Sequence, residues 1–147
     1  MKKIFLLSML VLLMSSIYHP IAAQQNTNQK KTALLIIDIQ EFYFPEGSVP
    51  LVNPLEAALN ARKLLNEFRN RDFLIVHIRH NASSGGNIHP LVMPLENEEV
   101  ISKNNANAFI GTNLLDYLHD NQITDLIICG MQTHMCCLLY TSDAADE

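Results

Sequence analysis

The chain has 147 residues, 48% of them hydrophobic and 17% charged, which suits one domain with a real core. Its formal charge of −5 and the lack of any basic run argue against nucleic acid as a partner. Three cysteines, Cys129, Cys136 and Cys137, are too few and too close together for a disulfide framework.

Residues 1–23 open with Lys2 and Lys3, continue through an apolar run from Ile4 to Met14, and close on Ile21-Ala22-Ala23. This is the three-part pattern of a secretory signal peptide, with cleavage expected after Ala23. The apolar run is short for a bilayer span, although an uncleaved anchor is the competing reading. Export to the periplasm or the medium follows from the first reading. The more acidic chain left after cleavage would have no membrane role. Residues 24–31, rich in Asn and Gln, read as a flexible lead-in.

Residues 32–39, Thr-Ala-Leu-Leu-Ile-Ile-Asp-Ile, form an apolar run broken by one acid. Such runs suit a strand covered on both faces by helices. Asp38 falls at the carboxyl end of the run, where a carboxylate is costly unless something pairs with it. Phe42, Tyr43 and Phe44 then crowd a loop; they pack into the core or wall a pocket. Asn53-Pro54 predicts a helix start, with Asn as cap and Pro at the first helical position. Leu55, Ala58, Leu59, Ala61, Leu64, Leu65 and Phe68 follow at helical spacing, with Arg62, Lys63, Glu67 and Arg69 outward. Residues 73–78 predict the next strand, and the strand–helix–strand order predicts a parallel sheet.

His80 and His89 lie in a loop with Gly85-Gly86, at a spacing that matches no strong metal-ligand pattern, so no metal or cofactor is expected. Glu96 to Glu99 reads as a solvated acidic turn. Val100-Ile101-Ser102-Lys103 predicts a short strand delivering Lys103, although a lone Lys is ordinarily a surface residue. Thr112 is expected to cap a short helix bearing Leu114, Leu115 and Leu118. The strand at residues 124–129 leads into Gly130-Met131-Gln132-Thr133-His134-Met135-Cys136. A parallel strand that ends at a Gly before a helix puts its loop at the carboxyl edge of the sheet, where open α/β folds hold ligands. A thiol in the first turn of that helix would be drawn toward its anionic form. Cys136 is therefore a candidate nucleophile, against the plainer reading of a small buried core thiol. A Cys129–Cys136 bridge would be an oxidised off-state.

Three blocks in this order resemble the isochorismatase-like cysteine hydrolase superfamily, which includes nicotinamidases, carbamoyl-amide hydrolases and isochorismatases. They are Leu35-Ile36-Ile37-Asp38-Ile39-Gln40 with Phe42; Val100-Ile101-Ser102-Lys103 with Phe109 and Gly111-Thr112; and residues 130–136. The resemblance implies that Cys136 attacks a carbonyl carbon, that Asp38 takes and returns the proton, and that Lys103 between them favours the thiolate. It also implies a non-proline cis peptide at Met131–Gln132, whose neighbouring N–H groups join that of Cys136 as an oxyanion hole. Phe44 and His134 are the candidate substrate-pocket residues. Many relatives carry an acid where His134 stands. The metal-dependent relatives carry an Asp-aromatic-His loop that His80-Asn81-Ala82-Ser83 does not reproduce, which argues against a metal and against a nicotinamidase. The thiol favours cleavage of a small amide or related C–N bond. The alternatives are an enol-ether hydrolase of the isochorismatase kind and a catalytically inactive relative that binds a ligand or a partner subunit. The resemblance leaves a homo-oligomer open.

Residues 137–147 read instead as the translation of a transposase sequencing adaptor, although Asp143-Ala144 also falls where relatives often carry Asp-Ala. The expected whole is a three-layer α/β/α domain over residues 32–136, with a mostly parallel Rossmann-like sheet whose C-terminal part is missing.

Overall fold

The computed structural model describes residues 30–132 and Cys136. The expected leader, most of the lead-in, His134 and the tail at 137–147 lie outside the described residues. The elements are β1 (Thr32–Ile37), α1 (Pro54–Asn70), β2 (Leu74–His80), β3 (Glu99–Lys103), α2 (Leu114–Asp120) and β4 (Asp125–Gly130). Single turns of 3-10 helix at Glu41–Tyr43 and Pro90–Val92 lie in the loops that leave β1 and β2.

All four strands are parallel, in the order β3-β2-β1-β4. The apolar run of β1 puts it at the centre, buried on both faces from Ala33 to Ile37. Its side chains alternate between two cores, as strand geometry requires. Leu34 and Ile36 pack with Ala58, Ala61, Leu65 and Phe68 of α1. Ala33, Leu35 and Ile37 pack with Leu114 and Leu118 of α2. One helix therefore covers each face, and the domain has three layers. The chain runs from β1 outward to β2 and β3, then returns to the other side of β1 as β4. That reversal opens a crevice at the carboxyl ends of β1 and β4.

Two expectations about α1 are corrected. Asn53 precedes α1 with a left-handed backbone (φ 53°, ψ 41°) and makes no side-chain cap, so Pro54 supplies the start signal. Leu55 and Leu59 are 55% and 42% exposed. The buried stripe is Pro54, Ala58, Ala61, Leu65 and Phe68; at 3.6 residues per turn the two leucines lie roughly 100–140° around the helix from its centre. Thr112 does cap α2, its hydroxyl accepting from the Leu114 N–H at 3.1 Å and donating to the Ala108 carbonyl.

Glu98, read as part of a solvated turn, has a side chain only 5% exposed. Arg69 grips it through two hydrogen bonds of 2.6 and 2.8 Å. The Leu95 N–H and His77 Nε2, each at 2.9 Å, complete its shell. Burial works against the carboxylate form, but these donors outweigh it and hold Glu98 at about 2. Burial lowers His77, so it meets Glu98 as a neutral ring. The cluster ties α1, β2 and the start of β3 together.

A depressed folded-state value means that Glu98 stabilises the fold above its ordinary 4.5, and that this contribution is lost as pH falls from there through about 2. Glu98→Gln should cost on the order of 2–3 kcal/mol at neutral pH. Urea melts of the two proteins should converge as the pH is lowered through that window.

Candidate active site

The crevice is built by three chain segments. The first leaves β1. The Asp38 N–H still pairs with the Ile78 carbonyl at 2.8 Å, but its backbone has turned left-handed (φ 52°). Asp tolerates that region better than most side chains. Asp38 is 1% exposed. The second segment is the end of β3, where Lys103 sits in register with His80 of β2 and is equally buried.

The third segment crosses the end of β1 from β4. Gly130 has φ 150°, and a Cβ there would lie 2.0 Å from the Ile37 carbonyl oxygen, so only glycine permits this approach. The Met131 N–H then donates to that same oxygen at 2.9 Å, and the Met131–Gln132 peptide is cis. Cys136 follows, 8% exposed.

Lys103 Nζ is the hub. It lies 2.8 Å from Asp38 Oδ2, donates to the Ala106 carbonyl at 2.9 Å, and reaches Cys136 Sγ at 3.7 Å. The Asp38, Lys103 and Cys136 side chains therefore meet in one buried cluster. The other carboxylate oxygen, Asp38 Oδ1, is buried and accepts no hydrogen bond from the described residues. Buried oxygens are ordinarily paired, so this one is open to an incoming proton.

The thiol's charge state differs from the sequence expectation. Burial pushes the Cys136 thiol up, and the Asp38 carboxylate pushes it further, as an acceptor and as a charge. Lys103 and the Gln132 N–H pull the other way and do not prevail. Burial is the larger cause, and the ammonium that would offset it lies 2.8 Å from the carboxylate and 3.7 Å from the sulfur. The resting group is a neutral thiol beside an ion pair.

Phe44 is buried and stacks on His89, with ring centroids 3.7 Å apart and planes 13° apart. Both border a depression of about 450 Å³, lined also by Glu41, Glu46 and Ser84, but not by Asp38, Lys103 or Cys136. His80 ends β2, and His89 Nδ1 accepts from the Leu91 N–H. Among the described residues no three of His, Cys, Asp and Glu converge as metal ligands. Cys129 and Cys136 form no disulfide: Cys129 packs on the α1 side of the sheet and Cys136 on the α2 side.

The sequence profile of the Isochorismatase domain matches residues 32–147. This chain belongs to the isochorismatase family. It is 43% identical over 116 residues to YddQ of Bacillus subtilis (strain 168), an uncharacterized isochorismatase family protein, covering 71% of this chain and 64% of that one. It is 29% identical over 113 residues to a streptothricin hydrolase of Streptomyces noursei, covering 71% of this chain and 44% of the relative. The chain thus spans less than two thirds of the length of these two relatives. The crystal structure of an isochorismatase hydrolase from Oleispira antarctica superposes with a TM-score of 0.76 at 38% identity, covering 82% of this chain and 71% of the other. This isochorismatase-family chain therefore has an α/β fold with a four-strand parallel sheet and flanking helices.

Removing the Asp38 charge takes away what favours the protonated thiol. In Asp38→Asn the pH midpoint for alkylation of Cys136 by iodoacetamide should therefore fall, and labelling near neutral pH should quicken. Lys103→Met strands a buried carboxylate and should cost about 3–5 kcal/mol in a urea melt. A loss below about 1 kcal/mol would mean that the pair is not buried as described.

Proposed function

We propose that this isochorismatase-family hydrolase cleaves a small amide or related C–N bond, with Cys136 as nucleophile. The observation that carries the reading is the buried cluster of Asp38, Lys103 and Cys136. A neutral thiol with a carboxylate beside it is armed only when its proton is taken, and Asp38 Oδ1 has capacity for that proton.

As substrate enters, the Cys136 proton passes to Asp38 and the sulfur bonds to the carbonyl carbon. The N–H groups near the Met131–Gln132 turn and that of Cys136 receive the developing oxyanion. The C–N bond then breaks, and Asp38 gives its proton to the departing nitrogen. A thioester remains. Water attacks it while Asp38 takes one water proton; the C–S bond breaks, the acid leaves, and Asp38 returns that proton to sulfur. Lys103 keeps its charge throughout and holds the carboxylate in place as its own charge comes and goes. Retention of a thiol favours this route over enol-ether hydrolysis, which requires no acyl transfer. Phe44 and His134 are proposed to border the substrate. The leader-like residues 1–23 support export as the setting in which this chemistry operates.

The test is a panel of small primary amides and carbamoyl compounds, with intact-mass detection of an acylated Cys136. Turnover should fall by about 10²–10⁴-fold in Asp38→Asn, the range for loss of a positioned acid–base group. It should vanish in Cys136→Ala. Hydrolysis that survives Cys136→Ala would sink the reading, and hydrolysis restricted to enol ethers would replace it with the isochorismatase type.

A further inference from the structure

Gln40 has no part in the chemistry above, yet it is completely buried, and its side-chain amide makes three hydrogen bonds. Its Oε1 accepts from the His80 N–H at 2.8 Å, while its Nε2 donates to the His80 carbonyl at 2.9 Å and the Gly86 carbonyl at 2.8 Å. Its own N–H donates to the Asp38 carbonyl at 2.9 Å. A side-chain amide that engages both the N–H and the C=O of one residue reproduces what a neighbouring strand would do. The β1–β2 ladder ends at Ile37, opposite Ile78. Gln40 carries that pairing on to His80 after the main chain has turned away at Asp38.

Both ends of the buried ion pair are tied to this bracket. Asp38 is two residues upstream, in a left-handed conformation closed by the Gln40 N–H. Lys103 is the register partner of His80, and its carbonyl accepts from the Asn81 N–H at 2.9 Å. The same stretch is zipped to the loop after β2 by Glu41 N–H to the Asn87 carbonyl, Phe42 N–H to the Gly85 carbonyl, and a bridge between Gln40 and Ile88.

We infer that Gln40 is a positioning residue, whose amide fixes the ends of β1 and β2 so that Asp38 faces Cys136 and Lys103 at proton-transfer range. This rests on the proposed role of Asp38 as the base for Cys136. Among the described residues, the groups that act on the thiol are Asp38, Lys103 and the Gln132 N–H. A misplaced Asp38 should therefore show itself in the thiol's titration, with no substrate required.

The experiment measures the pH dependence of iodoacetamide labelling of Cys136 in the full chain. The proteins compared are the parent, Asp38→Asn, Gln40→Met, and Glu98→Gln as a variant destabilised away from the cluster. Gln40→Met keeps the side chain's length and removes all three hydrogen bonds. Its labelling midpoint should drop in the same direction as that of Asp38→Asn, by about one pH unit if the carboxylate swings clear. Glu98→Gln should stay at the parent value. Should Gln40→Met fail to fold, Gln40→Glu takes its place, since it retains the acceptor for the His80 N–H and loses both donors. A parent-like midpoint in the Gln40 variant, alongside a shifted Asp38→Asn, overturns the positioning role. So does an equal shift in Glu98→Gln. An unshifted Asp38→Asn is a different failure: it removes Asp38 from the thiol's surroundings and takes the proposed mechanism with it.

Discussion

The active-site end of the fold depends on one carboxylate and one ammonium held 2.8 Å apart with almost no access to water. Each would be very costly to bury alone. Together they are tolerable only in the geometry that lets them meet. That geometry requires β3 to run on past the end of β1, with β2 between them. The pair therefore acts as a constraint on register as well as a candidate functional element. A slip of one residue in either strand would turn one of the charges into an apolar core.

The second constraint comes from the sheet order. Because β4 returns to the far side of β1, the segment carrying Cys136 reaches the ion pair from the opposite direction to Lys103. The glycine at the end of β4 permits this crossing, since its backbone passes too close to β1 for any side chain. Two acid-containing clusters result, with different purposes. Glu98 is gripped by Arg69 and His77 until no acceptor is left idle, and it serves the fold. Among the described residues Asp38 is gripped on one oxygen only, and the idle oxygen is what makes it a candidate base.

Much of this was legible in the chain itself. Unbroken apolar runs at β1 and β4, with helical spacing between β1 and β2, are local patterns, and they led directly to a parallel α/β sheet. Asp38 stood out because a charge at the end of an apolar run needs a reason to be there, Cys136 because it follows a strand-ending glycine at a helix start, and Lys103 only through the family resemblance. What stayed hidden depends on contacts far apart in sequence. Glu98 looks like any surface acid until Arg69 is seen to reach it. Leu55 and Leu59 fit a helical stripe whose true centre is set by the sheet it rests on. The thiol's preference for its proton could not be read either, because it turns first on how deeply the sulfur is buried and then on how near the Asp38 carboxylate lies. Gln40 offered one faint signal, an amide two residues after the acid that follows β1.

The placement of Cys129 and Cys136 on opposite faces has a consequence for how the two thiols can be oxidised. The sheet stands between them as a partition, so proximity along the chain does not become proximity in space. Joining their sulfurs would mean prising β4 away from β1. The fold thereby keeps the Cys129 and Cys136 sulfurs from becoming mates.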